Sequence, residues 1–266
     1  MRDLRLRFGL MTCLMVLLLG SGSVFAADDA ALPGVKRQWY GFDSYTGDGR
    51  IVVVPHEVAE GKPWVWRARF WGHEPQFDIA MLNKGYHLVY CDVSNLFGNR
   101  QAVQRWNEYY RYLHQQHGFA EKVVLEGFSR GGLIIYNWAV ANPEKVAAIY
   151  GDAPVMDFKS WPGPESPDIH RTYGFQSADE ANAYQGNPVD NLEPLAKAGV
   201  PIIHVVGDAD EVVPIAENTS LAEKRYKEMG GVFEVIHKPG VGHHPHSLKD
   251  PAPIVEFVVK HTTGKK

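Results

Sequence analysis

Disulfide chemistry is the first thing this sequence lacks, since its 266 residues include only two cysteines, Cys13 and Cys91. Cys13 lies in an N-terminal apolar stretch; removal of that stretch leaves Cys91 alone, which excludes an intramolecular bridge and makes the fold rest on its core. Cys91 closes the apolar run His87-Leu88-Val89-Tyr90, the setting of a buried structural thiol rather than a nucleophile. Long runs of like charge are missing too. With 27 Lys and Arg against 31 Asp and Glu, the formal net charge is −4, and nothing suggests the basic footprint of a nucleic-acid partner. Internal repeats, low-complexity tracts and long linkers are absent, which excludes a solenoid.

What is present is an ordinary globular composition, 45% hydrophobic and 22% charged, with ample material for one core. Arg2, Arg5 and Arg7 precede the apolar Phe8 to Leu19, and Val24 and Ala26 stand just before Ala27-Asp28-Asp29. This pattern reads as a secretory signal over residues 1–26, leaving a single domain over 27–266 that is secreted or periplasmic. The apolar stretch is short for a bilayer span, so no stable membrane association is expected after cleavage; an uncleaved anchor is the alternative. No cysteine follows the stretch to carry a lipid.

The centre of the chain is Gly127-Phe128-Ser129-Arg130-Gly131-Gly132, between the apolar run Val123-Val124-Leu125 and the helix-like Leu133 to Val140. A strand, a glycine-flanked serine and a helix make a nucleophile elbow, in which the glycines let strand and helix approach closely. Around it, Arg50 to Pro55, Trp64 to Trp71, His87 to Cys91, Lys122 to Leu125, Val146 to Tyr150, Pro201 to Val206 and Val232 to Ile236 read as strands. Phe77 to Asn83, the amphipathic stretch from Gln101 to Gly118, Asn218 to Met229 and Pro253 to His261 read as helices. Such alternation predicts a mostly parallel sheet with helices on both faces. Residues 160–185 break it: Trp161 to Pro167 is loop chemistry, Ser177 to Tyr184 a short polar helix, and the segment is expected to form a small lid.

Ligands of such sheets sit at the carboxyl ends of the strands, and the reactive residues here fall there. Ser129 follows one strand, Asp208 and Asp210 follow another, and Gly242-His243-His244-Pro245-His246 follows a third. With Gly127-Phe128-Ser129-Arg130-Gly131, Gly207-Asp208-Ala209-Asp210-Glu211-Val212-Val213-Pro214 and Gly240-Val241-Gly242-His243, the mature chain resembles the α/β-hydrolase superfamily, especially its secreted esterases. The resemblance implies Ser129 as nucleophile, His243 as base and Asp210 as the orienting acid. Asp208 is expected to satisfy loop N–H groups, and Asp152, at the end of the strand after the elbow helix, is the alternative acid. His244 and His246 either line the pocket or bond loop carbonyls.

An oxyanion hole needs two N–H donors, one at Arg130 and the other in the loop that contains Phe70, Trp71, Gly72 and His73; the resemblance points to Phe70 or Trp71. His73 lines the site or is a plain surface residue. Ser129-Arg130 resembles glucuronoyl esterases, where the arginine beside the nucleophile supports the oxyanion; a guanidinium equally suits a substrate carboxylate or sugar oxygen, or a structural ion pair. The rest of that family's motif is not recognisable. Trp71 and Trp161 fall in loops where an aromatic face can stack on a sugar, while most of the tryptophans are expected in the core. Three close histidines invite a metal, but Pro245 breaks helical register and no thiolate is near, so neither metal nor other cofactor is expected. The expected activity is hydrolysis of a small-molecule or glycan ester, O-acetyl or methyl uronate, through an acyl-enzyme. A prolyl-oligopeptidase-type peptidase, normally with a propeller domain not expected here, and an inactive hydrolase-fold binding module are the alternatives.

Overall fold

A computed structural model describes residues 32–262, so the signal-peptide expectation for residues 1–26, and Cys13 with it, lie outside the described residues. Among the described residues nine strands build one sheet: β1 (Val35–Trp39), β2 (Phe42–Gly47), β3 (Arg50–Val53), β4 (Trp64–Ala68), β5 (His87–Cys91), β6 (Val123–Phe128), β7 (Val146–Asp152), β8 (Ile202–Gly207) and β9 (Phe233–Lys238). The helices are α1 (Gln76–Leu82), α2 (Arg100–His117), α3 (Gly131–Ala141), α4 (Pro167–Tyr173), α5 (Ala178–Ala183), α6 (Glu193–Lys197), α7 (Thr219–Glu228) and α8 (Ala252–Thr262). The strand order is β1-β2-β3-β5-β4-β6-β7-β8-β9. β1, β2, β3 and β5 pair antiparallel, whereas β5, β4 and β6 through β9 run parallel.

Alternation along the strands divides the core. Trp64, Trp66 and Ala68 of β4 face α2, α3, α6 and α7, where Trp66 stacks on Trp106 with ring centroids 4.0 Å apart. Val65 faces the opposite layer with Val124, Phe77 and Met81 of α1, and Ile254 and Val258 of α8. Continuous apolar strands follow from having both faces covered. His204 is the exception in β8: fully buried, it bonds Tyr136 Oη at 2.6 Å and Thr219 Oγ1 at 2.9 Å, and burial drives its imidazole down to about 3. Cys91 is a buried free thiol, pushed up to about 11 by burial. Among the described residues no helix is long and apolar enough to cross a membrane.

Two local expectations need correction, and one hairpin was not expected. β4 stops at Ala68 instead of reaching Trp71, because Arg69, Phe70, Gly72 and Glu74 take positive φ and turn the chain back. The hairpin of β1 and β2 escaped the reading because its strands are short, polar and half-exposed. In the 160–185 segment, Pro167 opens helix α4 as an N-terminal proline rather than ending a loop. Phe158, Phe175 and Tyr184 of this region pack with Phe97 and Leu133, and Tyr173 donates to the Phe97 carbonyl at 2.9 Å.

Candidate active site

Ser129 sits between β6 and α3 with φ 50, a left-handed conformation that a non-glycine residue adopts only when its surroundings hold it. Here they do. Its N–H donates to the Asp152 carbonyl, and its carbonyl accepts from Gly132 and Val155, all at 2.9 Å. Gly131 is required because a Cβ there would lie 2.6 Å from the Ala68 carbonyl oxygen, so β4 and α3 touch through backbone alone.

Parallel pairing of β6, β7, β8 and β9 brings three post-strand loops to one edge. His243 Nε2 lies 2.9 Å from Ser129 Oγ, and its Nδ1 lies 2.8 Å from Asp210 Oδ2. Asp210 uses its other oxygen to accept the N–H groups of Val212 and Val213, both at 2.9 Å, which fixes the carboxylate plane. The partners assign the tautomer: Nδ1–H donates to the carboxylate and Nε2 accepts from the serine hydroxyl. All three residues are buried. Gly207 allows the last two loops to meet, since a Cβ on it would stand 2.2 Å from the Gly242 carbonyl oxygen.

The neighbouring carboxylates have other partners. Asp208 does not serve loop N–H groups as expected; it pairs with His237 Nδ1 at 2.6 Å on the exposed rim, and Asp210 takes the backbone role. Asp152, the alternative acid, does not reach His243. It binds His246 Nδ1, the Ser247 N–H and Tyr150 Oη, each at 2.8 Å. His246 is thus buried on a carboxylate, not on a loop carbonyl, while His244 is exposed.

The loop after β4 lies beside the elbow because Ala68 is in register with Gly127. Among the described residues the N–H groups of Arg130, Phe70 and Trp71 donate to no backbone carbonyl, as oxyanion donors require. Beneath this loop is a group that sequence reasoning missed. Buried Arg67 donates through Nη2 to the carbonyls of Phe70, at 3.1 Å, and His73, and through Nη1 to Asp78 and to Glu126 at 3.3 Å. Burial, then the Asp78 charge, raises Glu126 well above the usual carboxylate range, which favours its neutral form. The available signal was a single charge in each of two otherwise apolar strands, Arg67 in β4 and Glu126 in β6.

Comparison with known proteins agrees with this geometry. The model of the prolyl oligopeptidase family matches residues 100–265, which include the serine, the carboxylate and the histidine. The chain belongs to the prolyl oligopeptidase family. It is therefore a serine hydrolase of the α/β-hydrolase superfamily. No curated protein matches it. Among solved structures it is similar to a truncated carbohydrate esterase from gut microbiota, at 16% identity and TM-score 0.65, covering 80% of this chain and 90% of that one. An acylaminoacyl peptidase of Pyrococcus horikoshii aligns at 14% identity and TM-score 0.60 over 87% of this chain and 42% of that one. Dipeptidyl peptidase 4 of Porphyromonas gingivalis aligns at 14% identity and TM-score 0.61 over 80% of this chain and 33% of that one. The chain thus spans well under half the length of these peptidases, and at such identities the likeness establishes the fold.

In this member of the prolyl oligopeptidase family the elbow is flanked by two arginines. The Arg130 guanidinium lies 5.6 Å from the Phe97 ring centroid and 5.8 Å from that of Trp161. Burial, then the charge of nearby Arg69, lowers its basicity. Trp71 packs instead against Trp39 and Tyr90, at 5.2 and 5.5 Å. His73 and His244 are both lowered, by burial first and then by neighbouring cations or histidines. A separate cavity of ≈ 300 Å³, lined by Pro63, Tyr86, Lys122, Ala147, Gly199 and Thr262, opens near the amino ends of β4, β6 and β7, away from Ser129.

Proposed function

We propose that this hydrolase is an exported esterase acting on a glycan ester, an O-acetyl group or a methyl uronate. Ser129 Oγ attacks the ester carbonyl as His243 Nε2 takes its proton, with Asp210 stabilising the imidazolium. The oxyanion of the tetrahedral intermediate is held by the Arg130 N–H and that of Phe70 or Trp71. Collapse expels the alcohol, which receives the proton from His243. Water, deprotonated by the same imidazole, then splits the acyl-enzyme to the free acid.

The observation that carries the substrate class is the pair Arg69 and Arg130. Among the described residues neither guanidinium has a hydrogen-bonded carboxylate, and the Nε of Arg69 is buried without an acceptor. The Arg69 Cβ stands 3.6 Å from the Cβ position of Gly131, so this charge too borders the elbow. Two guanidinium groups without a hydrogen-bonded carboxylate, that of Arg130 beside the Trp161 ring, suit the oxygens of a sugar ester by hydrogen bonding and its ring by stacking. Export, expected from residues 1–26, agrees with a polysaccharide substrate.

A second reading, cleavage of an aminoacyl or peptide bond, is favoured by the family and by the peptidases among the similar structures. A panel of p-nitrophenyl acetate, methyl uronates and aminoacyl anilides separates the two. The esterase reading expects turnover of the first two, and of the uronate to fall about 10- to 1,000-fold in Arg130→Ala. Preference for the anilides overturns it, and failure of a fluorophosphonate to label Ser129 would indicate an inactive binding protein.

A further inference from the structure

Beside Ser129, and using none of its hydrogen-bond partners, three imidazoles converge from two distant stretches of chain. His73 ends the turn after β4, and His244 and His246 follow β9; one ring nitrogen from each lies within 4.8 Å of the other two. The rings are mutually steep, with interplanar angles of 83° between His73 and His244, 88° between His73 and His246, and 76° between His244 and His246. Rings so disposed do not stack, and their nitrogens lie close to one another. His243 is not part of the group, because Asp210 and Ser129 engage both its nitrogens.

We propose that His73, His244 and His246 form a site for a borderline divalent transition metal such as zinc. His246 supplies the fixed corner. Its Nδ1 is bound to the buried carboxylate of Asp152, itself held by Ser247 and Tyr150, so Nε2 is left bare as a ligand. A carboxylate behind a histidine is the usual support of a metal ligand, orienting the ring and raising its basicity. The imidazoles of His73 and His244 are exposed and make no hydrogen bond among the described residues, so these rings can rotate. Zinc-nitrogen bonds of about 2.0–2.1 Å in a tetrahedron put ligand nitrogens about 3.3 Å apart, a closure that rotation of those two side chains supplies. Three nitrogen ligands leave the fourth position to water or a substrate oxygen. The sequence hid this set because its third member comes from a loop 171 positions upstream of His244 and not from the His-His-Pro-His stretch.

The test is calorimetric titration of zinc sulfate into Ser129→Ala, whose result is independent of any esterase or peptidase activity. One equivalent should bind, and His73→Ala or His244→Ala, added singly, should weaken it by at least about 10-fold, the lower limit for disturbing a metal's ligand shell. Cobalt(II) should give the intense visible absorption of a tetrahedral site in Ser129→Ala and lose it in either variant. His237→Ala, which removes an exposed histidine bound to Asp208, is the control and should bind zinc unchanged. No binding up to about 1 mM zinc, far weaker than a built three-histidine site, or equal affinity in all three histidine variants, overturns the proposal.

Discussion

Arg67 holds the Phe70 carbonyl from below the loop, its Nη2 3.1 Å from the oxygen. One guanidinium therefore ties a candidate oxyanion donor to the charged cluster in the core. Arg67→Lys keeps the charge but loses the fork that joins the Phe70 and His73 carbonyls, on Nη2, to the carboxylates of Asp78 and Glu126, on Nη1. Its kcat should fall by about 10- to 100-fold with KM little changed, since misplacement by an ångström is enough. Arg67→Met strands Asp78 and should cost about 3–5 kcal/mol in urea unfolding. Wild-type kcat in Arg67→Lys would show that the loop stands without it.

Ser129→Ala, His243→Ala and Asp210→Asn should each lower ester hydrolysis by about a thousandfold or more, because the three groups act as one unit. Asp208→Asn, which loses only an exposed pairing with His237, should stay within about threefold of wild type. The measurement is kcat/KM on p-nitrophenyl acetate with circular dichroism to confirm folding. A severe defect in Asp208→Asn would reassign the acid.

Much of this is legible in the sequence. The parallel sheet follows from apolar runs ending in short polar loops, the elbow from the glycines around Ser129, and the roles of Ser129, Asp210 and His243 are those the resemblance implies. Less legible were features whose partners are remote in sequence. That Asp152 serves His246 instead of His243 depends on how the loop after β9 folds back, and periodicity carries no trace of it. The end of β4 was missed for the opposite reason: Phe70 and Trp71 have high strand propensity, and the hydrogen bonds of Arg67 override it.

Gly207→Ala tests the joint between the acid and histidine loops. The added methyl meets the carbonyl oxygens of Gly242 at 2.2 Å and Val241 at 2.4 Å, both backbone, so the loops must separate. About 1–3 kcal/mol of stability should be lost, as in other overpacked sites, together with most of the activity. Unchanged melting temperature and turnover would show that the two loops are not rigidly joined.

His204 makes stability depend on pH. Its folded value of about 3 lies below the ordinary 6.5, so between these the unfolded chain holds one more proton than the folded one. The stabilisation is complete above pH 6.5 and declines as pH falls, by about 1.4 kcal/mol per pH unit from this residue until its folded value is reached. Urea midpoints at pH 5, 6 and 7 should show that slope reduced by about one proton in His204→Gln. An identical slope in the variant would assign the acid sensitivity elsewhere.

Among the described residues the sheet is open, so β1 and β9 each turn one row of backbone groups away from the other strands. Bare rows of this kind recruit strands from other molecules and seed fibres. β1 is largely exposed and carries Lys36 and Arg37, while β9 carries Glu234 and Lys238. Self-pairing of β1 would set its like charges against one another and is repelled, whereas the mixed signs of β9 give no such repulsion, so in concentrated solution the β1 edge is the better protected of the two.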